Sequence, residues 1–324
     1  MELRLTRDEF VRLVASAPGT DDLATERGGL IVVEGGTTAE PLVVPSLLPA
    51  VVALAVEAGE PCGTDAPDLW LPPGDLDAVR DTVGRCPQAA TALAVLLRGA
   101  EGRAVPYGLQ LESAVYGVLQ AGAEFASWRQ DHPARRAGPP PGEPLKLTRD
   151  GDTLEVVLSR PHVRNALDAT LRDALTNALE VALADPTLQV ELRGEGESFC
   201  SGGYLDEFGT RPDPASAHLV RVSRSLGWML HQLAARTHVH VHGPCRGSGV
   251  ELPAFAGRVV AHPETTFALP EVGLGLIPGA GGTVSLPRRI GRARTAWLAL
   301  TGAVIDAPTA LAWGLVEVIE PGSG

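Results

Sequence analysis

The sequence predicts an α/β fold in two parts, and three observations carry that reading. In the second half, strand-like runs alternate with helix-length amphipathic runs: LEVVLSR at 154–160, LQVELRG at 188–194 and HVHVHG at 238–243, with helical patterns over 168–184 and 215–234. Strands spaced by helices of that length need crossover connections and so predict βαβ-type units. Between the halves, HPARRAGPPPGEP at 132–144 concentrates proline and glycine, disfavours helix and predicts a stiff, extended connection. In the first half, two strong helical patterns dominate. The expected organisation is an N-terminal domain of α+β or mainly helical character over 1–131, a linker over 132–144, and a second domain over 145–324 that carries the candidate site.

In chain order, Thr6 is placed to cap a helix running to about Val14, and GGLIVVEGG at 28–36 reads as a buried strand between glycines. The most apolar window, 41–56, is broken by Pro41, Pro45 and Pro49, and the start, MELRLTRDEF, is charged at once, so no segment is expected to enter a membrane. ATALAVLLR at 90–98 and GLQLESAVYGVLQAGAEFASWR at 108–129 have the apolar spacing of two packing helices. The second sets Leu111, Ala114, Val115, Val118, Leu119, Gly122, Phe125 and Ala126 on one face, which is expected to be buried.

Composition narrows the function classes. A chain of 324 residues with 44% hydrophobic and 20% charged residues can hold two domains and a sizeable core. A net charge of −12 repels phosphate backbones, and no basic run is interleaved with aromatics, which argues against nucleic acid as a partner. Cys62, Cys86, Cys200 and Cys245 show neither CxxC spacing nor the density of a disulfide framework, so reduced thiols in a cytoplasm are expected.

Chemistry concentrates in five ordered stretches: FCSGGYLDEF at 199–208, GPCRGSGVEL at 243–252, LPEVGLGLIPGAGGT at 269–283, LPRRIGRAR at 286–294 and AWGLVEVI at 312–319. The first two each place glycine-freed backbone N–H groups beside a helix start, where unpaired donors and the dipole favour a negative oxygen. Together they read as an oxyanion hole in two halves. Glu251 ends the second, and Glu271 follows twenty residues later, so two carboxyls can flank the bound oxyanion. Phe267, Leu269, Val272 and Leu274 would desolvate Glu271 and raise its pKa toward the operating pH, as proton transfer requires.

Each stretch also has a plainer reading. Glycine pairs punctuate ordinary turns, a glutamate in a first helical turn complements the dipole, and Arg246 can pair with Glu251 or Asp206. His238, His240 and His242 share one face of a strand, poorly placed to converge on one metal ion, so a polar cavity wall or a subunit contact is expected and no metal. GAGGT at 279–283 lacks the lysine and spacing of a phosphate loop and reads as close helix packing.

The five stretches, in that order and spacing, resemble the crotonase family, also called the enoyl-CoA hydratase/isomerase family, across about 146–319. The resemblance implies a catalytic domain built as a spiral of ββα turns, with the oxyanion donors at Gly203 and Ser248 and paired acid/base glutamates at Glu251 and Glu271. It also implies substrate contacts at His162, Arg164, Ala166, Leu167, Ser201, Tyr204, Leu205, Gly247 and Gly279, Arg164 being placed for a coenzyme A phosphate; arginines solvated at a strand-to-helix turn are the plainer reading. The reaction implied is hydration of a 2-enoyl-CoA or its reverse, with coenzyme A part of the substrate and no metal, nicotinamide or flavin. Other chemistries on the same oxyanion hole, such as isomerisation, thioester hydrolysis or oxygen-dependent reactions, stay open, as does a non-catalytic acyl-CoA-binding protein.

Two departures qualify the resemblance. Tyr204 stands where many hydratases carry aspartate, which points with the N-terminal domain to a specialised role, and Ser248 replaces a usual glycine. The family continues after the WGLV strand with helices that close the acyl site and build a trimer, whereas this chain stops five residues after Ile319. The 108–129 segment resembles that C-terminal helix in its glutamate, small residues and terminal Phe-x-x-Trp-Arg pattern. The N-terminal domain is therefore expected to cover the site and to support a homotrimer or homohexamer.

Overall fold

Aliphatic runs covered on both sides build the first sheet. The computed structural model describes residues 2–15, 29–34, 42–56, 67–72, 74–134, 140–210 and 213–320. Strands β1 (Glu2–Thr6), β2 (Leu30–Glu34), β3 (Val51–Ala55) and β4 (Leu69–Leu71) lie in that order, all parallel. Leu30 and Val32 join one buried cluster while Ile31 and Val33 join a second on the opposite face. A strand covered on both faces reads as a continuous apolar run, which periodicity alone does not separate from helix. The first half is thus mixed strand and helix, and not mainly helical: β3 emerges from the proline-broken 41–56 window, and β1 from a charged segment that offers no apolar run. Thr6 caps as expected, its amide donating to Glu9 Oε2 at 2.8 Å while Glu9 N donates to Thr6 Oγ1 at 3.3 Å, and starts the helix Arg7–Ala15. Helices Leu76–Arg85, Pro87–Arg98, Val105–Gln120 and Ala123–Asp131 follow β4.

In the second half β5 (Leu145–Asp150) and β6 (Thr153–Leu158) form an antiparallel hairpin, and β7 (Gln189–Gly194) and β8 (Thr237–Val241) add to β6 in parallel. The chain then alternates between two sheets. After β8 it leaves for β9 (Pro244–Arg246), returns beside β8 as β10 (Arg258–Ala261), leaves again as β11 (Thr266–Ala268) and β12 (Ile305–Asp306), and ends beside β10 as β13 (Val318–Ile319). The result is a six-stranded sheet ordered β13-β10-β8-β7-β6-β5 and a three-stranded sheet ordered β12-β11-β9. The two glycine-rich motifs lie in the connection from β7 to β8, its neighbour in the six-stranded sheet, and around β9 where the chain passes back to β10.

The helix expected over 168–184 is Ala169–Ala184, with Asp168 accepting from Leu171 N at 2.8 Å as its cap. The single helix expected over 215–234 is two, Pro214–Ser223 and Leu226–Gln232, because Ser225 Oγ accepts from Trp228 N at 3.3 Å and starts the chain afresh. The predicted face of Val105–Gln120 is also revised. Leu111 and Val118 are 41% and 73% exposed, whereas Glu112, Ser113, Tyr116 and Gly117 are buried. Hydrophobic periodicity cannot anticipate a buried carboxyl whose partners come from the far end of the chain.

One contiguous apolar cluster runs from Leu30 through Leu93, Tyr116 and Phe125 to Val316, so both halves contribute to the same core. Cys62, residues 28, 35 and 36 of the first predicted strand, Pro41 and residues 135–139 lie outside the described residues. Among the described residues no helix is long and apolar enough to cross a membrane.

Candidate active site

Two backbone amides are left free at one cavity. In the first motif, Ser201 N donates to Arg164 O at 3.0 Å, Leu167 N to Gly202 O at 2.8 Å and Tyr204 N to Leu167 O at 2.8 Å, which ties the loop down and leaves Gly203 N without an acceptor among the described residues. In the second, Gly247 takes φ 47°, and its carbonyl accepts from Val250 N and Glu251 N, so Ser248 N, at the start of the short helix Ser248–Glu251, is also free. The loops are pressed together: Arg246 N donates to Cys200 O at 3.2 Å, and a Cβ on Gly249 would stand 2.1 Å from that same oxygen. Gly203 and Ser248 line the same cavity.

Of the carboxyls that line this cavity, three have raised pKa values. Glu251 is buried, and its Oε2 accepts from Ala280 N at 2.7 Å and Gly282 N at 2.8 Å; burial pushes its pKa up to about 7 against those two amides. Glu271 starts the turn Glu271–Leu274 with its Oε2 sealed from solvent and without a partner among the described residues. Burial first, then the charge of Glu251, holds its pKa well above the usual carboxylate range. The third is Glu112, carried by Val105–Gln120 and only 2% exposed, which accepts from Gly281 N at 2.7 Å, Thr283 N at 2.9 Å and Thr283 Oγ1 at 2.7 Å. Burial, then Glu251, pushes Glu112 up to about 8. The amides of 280–283 therefore alternate, Ala280 and Gly282 serving Glu251, Gly281 and Thr283 serving Glu112.

Of the residues expected from sequence, Leu167, Gly203, Ser248, Glu251, Glu271 and Gly279 line the cavity together. His162, Arg164, Ala166, Ser201, Tyr204, Leu205 and Gly247 do not line it. His162 and Arg164 are exposed on the turn after β6; Ala166 is buried in that turn and Ser201 sits half-buried in the first loop. Tyr204 turns its hydroxyl to Asp206 Oδ2 at 3.2 Å, Leu205 faces solvent, and Gly247 backs Glu271, whose Oε1 lies 2.2 Å from where a Cβ would stand. Arg246 pairs with neither Glu251 nor Asp206, donating from Nη1 to Cys245 O at 2.8 Å and Thr266 O at 2.9 Å. The strand histidines lie off the cavity wall: His238 and His240 bind Glu191 at 3.0 and 2.7 Å, and His242 binds Gly196 O at 3.0 Å. Among the described residues no group of three side chains is placed to hold a metal ion.

Sequence reasoning missed Glu112, Ser113 and Tyr116 on one wall and Asp168, Arg172, Arg221 and Arg224 on another. A signal for the first was present: Glu112 is the only charged residue of VPYGLQLESAVYGVLQ. A lone charge in an apolar helix needs a partner if it is buried.

A family model described as Enoyl-CoA hydratase/isomerase matches residues 149–323, more than half of the chain. The chain belongs to the enoyl-CoA hydratase/isomerase family. Relatives include an enoyl-CoA isomerase/hydratase of Mycosarcoma maydis, 35% identical over 181 residues covering 52% of this chain and 65% of that protein. Another is the 2,3-dehydroadipyl-CoA hydratase of Escherichia coli, 34% identical over 178 residues, 55% of this chain and 69% of that one. Among solved structures, an enoyl-CoA hydratase from Thermoplasma volcanium superposes with a TM-score of 0.52 at 29% identity, covering 56% of this chain and 73% of that one. The chain thus spans just under two thirds of the length of the first of these relatives. The family match begins at residue 149, so Glu112, Ser113 and Tyr116 lie outside it.

Proposed function

We propose that the protein is an acyl-CoA enzyme that adds water across the double bond of a 2-enoyl thioester, or removes it in reverse, with coenzyme A entering as part of the substrate. The observation that carries this reading is the meeting of two free amides and two differently held carboxyls at one cavity. The thioester oxygen accepts from Gly203 N and Ser248 N, and both bonds strengthen as negative charge moves onto that oxygen. Glu251, near pH 7 and with Oε1 still open, takes a proton from the water that attacks the β-carbon. Electrons pass to the thioester oxygen as the enolate forms. Glu271, which keeps its proton because burial and Glu251 oppose its ionisation, delivers that proton to the α-carbon. The proton gained by Glu251 balances the one lost by Glu271, and solvent exchange resets the pair.

The test is turnover of a short 2-enoyl-CoA, followed by loss of the ultraviolet absorbance of the conjugated thioester. Glu251→Gln and Glu271→Gln keep size and hydrogen bonding but cannot exchange the proton, and each is expected to lose about 10²–10⁴-fold in kcat. Near-normal rates from both variants would remove the hydratase reading. Migration of the double bond with no hydrated product would move the enzyme to the isomerase branch.

A further inference from the structure

The cavity has an arginine wall that the hydration step leaves unused. Arg221, on the helix Pro214–Ser223, donates from Nε to Ser113 Oγ at 3.0 Å and from Nη2 to Ser113 O at 3.3 Å, and its Cζ lies 4.8 Å from the centre of the Tyr116 ring. Those bonds use two of its five N–H donors. Nη1 donates to nothing, and no carboxylate stands within 4.0 Å of the guanidinium among the described residues. Its neighbours are also rich in positive charge: Arg172 and Arg224 line the same cavity and share one acid, Asp173, at 2.8 and 3.2 Å. Four of the other acids that line the cavity are bonded elsewhere, and Glu271 backs onto Gly247. Asp168 faces Arg160, Glu207 accepts from Ala169 N, and Glu112 and Glu251 accept from the 280–283 amides.

A half-buried guanidinium with unspent donors has lost part of its hydration with no carboxylate in contact among the described residues, and burial lowers its pKa against the smaller opposing effects of Tyr116 and Glu112. An alkyl chain packed there would desolvate it further and return nothing. An anionic oxygen group would gain charge-assisted bonds from a planar fork suited to carboxylate or phosphate. The position favours the acyl end: Arg221 lies on the Tyr116 ring, and that ring in turn abuts Gly279, beside the loop that holds Glu251. The Tyr116 ring thus stands between the subsite and the loop that holds Glu251, whereas the phosphates of coenzyme A lie at the far end of its pantetheine arm.

We propose that Arg221, flanked by Arg172 and Arg224, is an anion subsite of the acyl pocket, and that the substrate is an enoyl thioester whose acyl chain ends in a carboxylate. The inference rests on the enoyl-thioester reading of the same cavity. It makes Arg221 a specificity residue that binds the end of the chain remote from the double bond.

The experiment crosses two acyl groups with two carriers. Straight-chain 2-enoyl groups of four to six carbons, with or without a terminal carboxylate, are presented on coenzyme A and on N-acetylcysteamine, which has no phosphate. The quantity read is the ratio of kcat/KM for the carboxylate-ended chain to that for its alkyl counterpart of equal length. Wild type is expected to favour the carboxylate on both carriers. Arg221→Met is expected to lower that ratio about 10–100-fold, the loss of a hydrogen bond to a charged group, with Arg221→Lys falling between. A ratio near one in wild type, or one unchanged in a folded Arg221→Met, overturns the subsite while leaving hydration intact. An equal fall in kcat/KM for both acyl groups on coenzyme A but not on N-acetylcysteamine, with the ratio unchanged, assigns Arg221 to a phosphate and overturns the acyl assignment. No turnover of any enoyl thioester sinks the hydratase reading itself. Should Arg221→Met fail to fold, inhibition of wild type by saturated acyl thioesters decides: glutaryl-CoA is expected to bind at least tenfold tighter than pentanoyl-CoA, and equal inhibition counts against the subsite.

Discussion

Glu112, Glu251 and Glu271, gathered in one low-dielectric cavity, cannot all ionise freely, and their titrations are shared. In the proposed reaction Glu251 must be ionised and Glu271 protonated, so the rate rises as pH climbs through about 7 and falls where Glu271 releases its proton. Glu112, pushed up to about 8, becomes negative over the upper part of that range and holds the proton on Glu271. Glu112→Gln removes this charge, so the pKa of Glu271 drops and the alkaline limb of kcat is expected to move to lower pH. The acid limb near 7 should move less, because Glu112 is mostly protonated there. An unchanged alkaline limb in a folded variant would count against the coupling. Glu251 and Glu271 stood out in the sequence as carboxyls beside glycine-rich motifs, and the family resemblance singled out Gly203 and Ser248 within those motifs; all four line the one cavity. Glu112 was not legible in sequence, because its partners Gly281 and Thr283 lie 169 and 171 residues away.

At the level of elements, the free amides depend on how closely two loops approach. Gly249 permits that contact, since any Cβ there would meet Cys200 O at 2.1 Å. Gly249→Ala should push the Ser248–Glu251 helix away from the first loop and spoil the shared aim of Gly203 N and Ser248 N. Loss of one such donor lowers kcat by about 10²–10³-fold, and a loss of that order is expected with the circular dichroism spectrum preserved. A fully active Gly249→Ala enzyme would mean that the loop contact does not set the donor geometry. Strands β6, β7 and β8 and the helix Ala169–Ala184 were read within a few residues, because half-buried strands and a capped amphipathic helix announce their periods. The face of Val105–Gln120 was misread for the opposite reason. Its apolar residues Leu111 and Val118 face solvent, while its polar residues Glu112 and Ser113 find partners in the helix Gly282–Ile290, the turn before it, and the helix Pro214–Ser223.

For the whole molecule, the question is whether residues 145–324 can act alone, as a proline-rich boundary at 132–144 and a family match limited to 149–323 invite one to expect. The packing argues against it. Trp297, on the helix Arg292–Thr301, stacks on Trp70 with ring centres 6.2 Å apart and donates from Nε1 to Asp75 Oδ2 at 2.8 Å. Arg292 donates to Pro67 O at 3.2 Å, and Leu93, Leu97, Tyr116 and Phe125 belong to the same buried cluster as Val284 and Leu286. Exposing a buried side chain of this size costs about 1.5–3 kcal/mol, so removing several is comparable with the whole stability of a domain. The fragment would also lose the cavity wall of Glu112, Ser113 and Tyr116 and the three hydrogen bonds that hold Gly281 and Thr283. Residues 145–324 expressed alone are therefore expected to aggregate, or to lose near-ultraviolet circular dichroism and enoyl thioester turnover together. Co-expression with residues 1–131 should restore both if the halves recognise each other through this core. A soluble fragment with full turnover would show that the first half is an independent module and that the shared core is dispensable for catalysis.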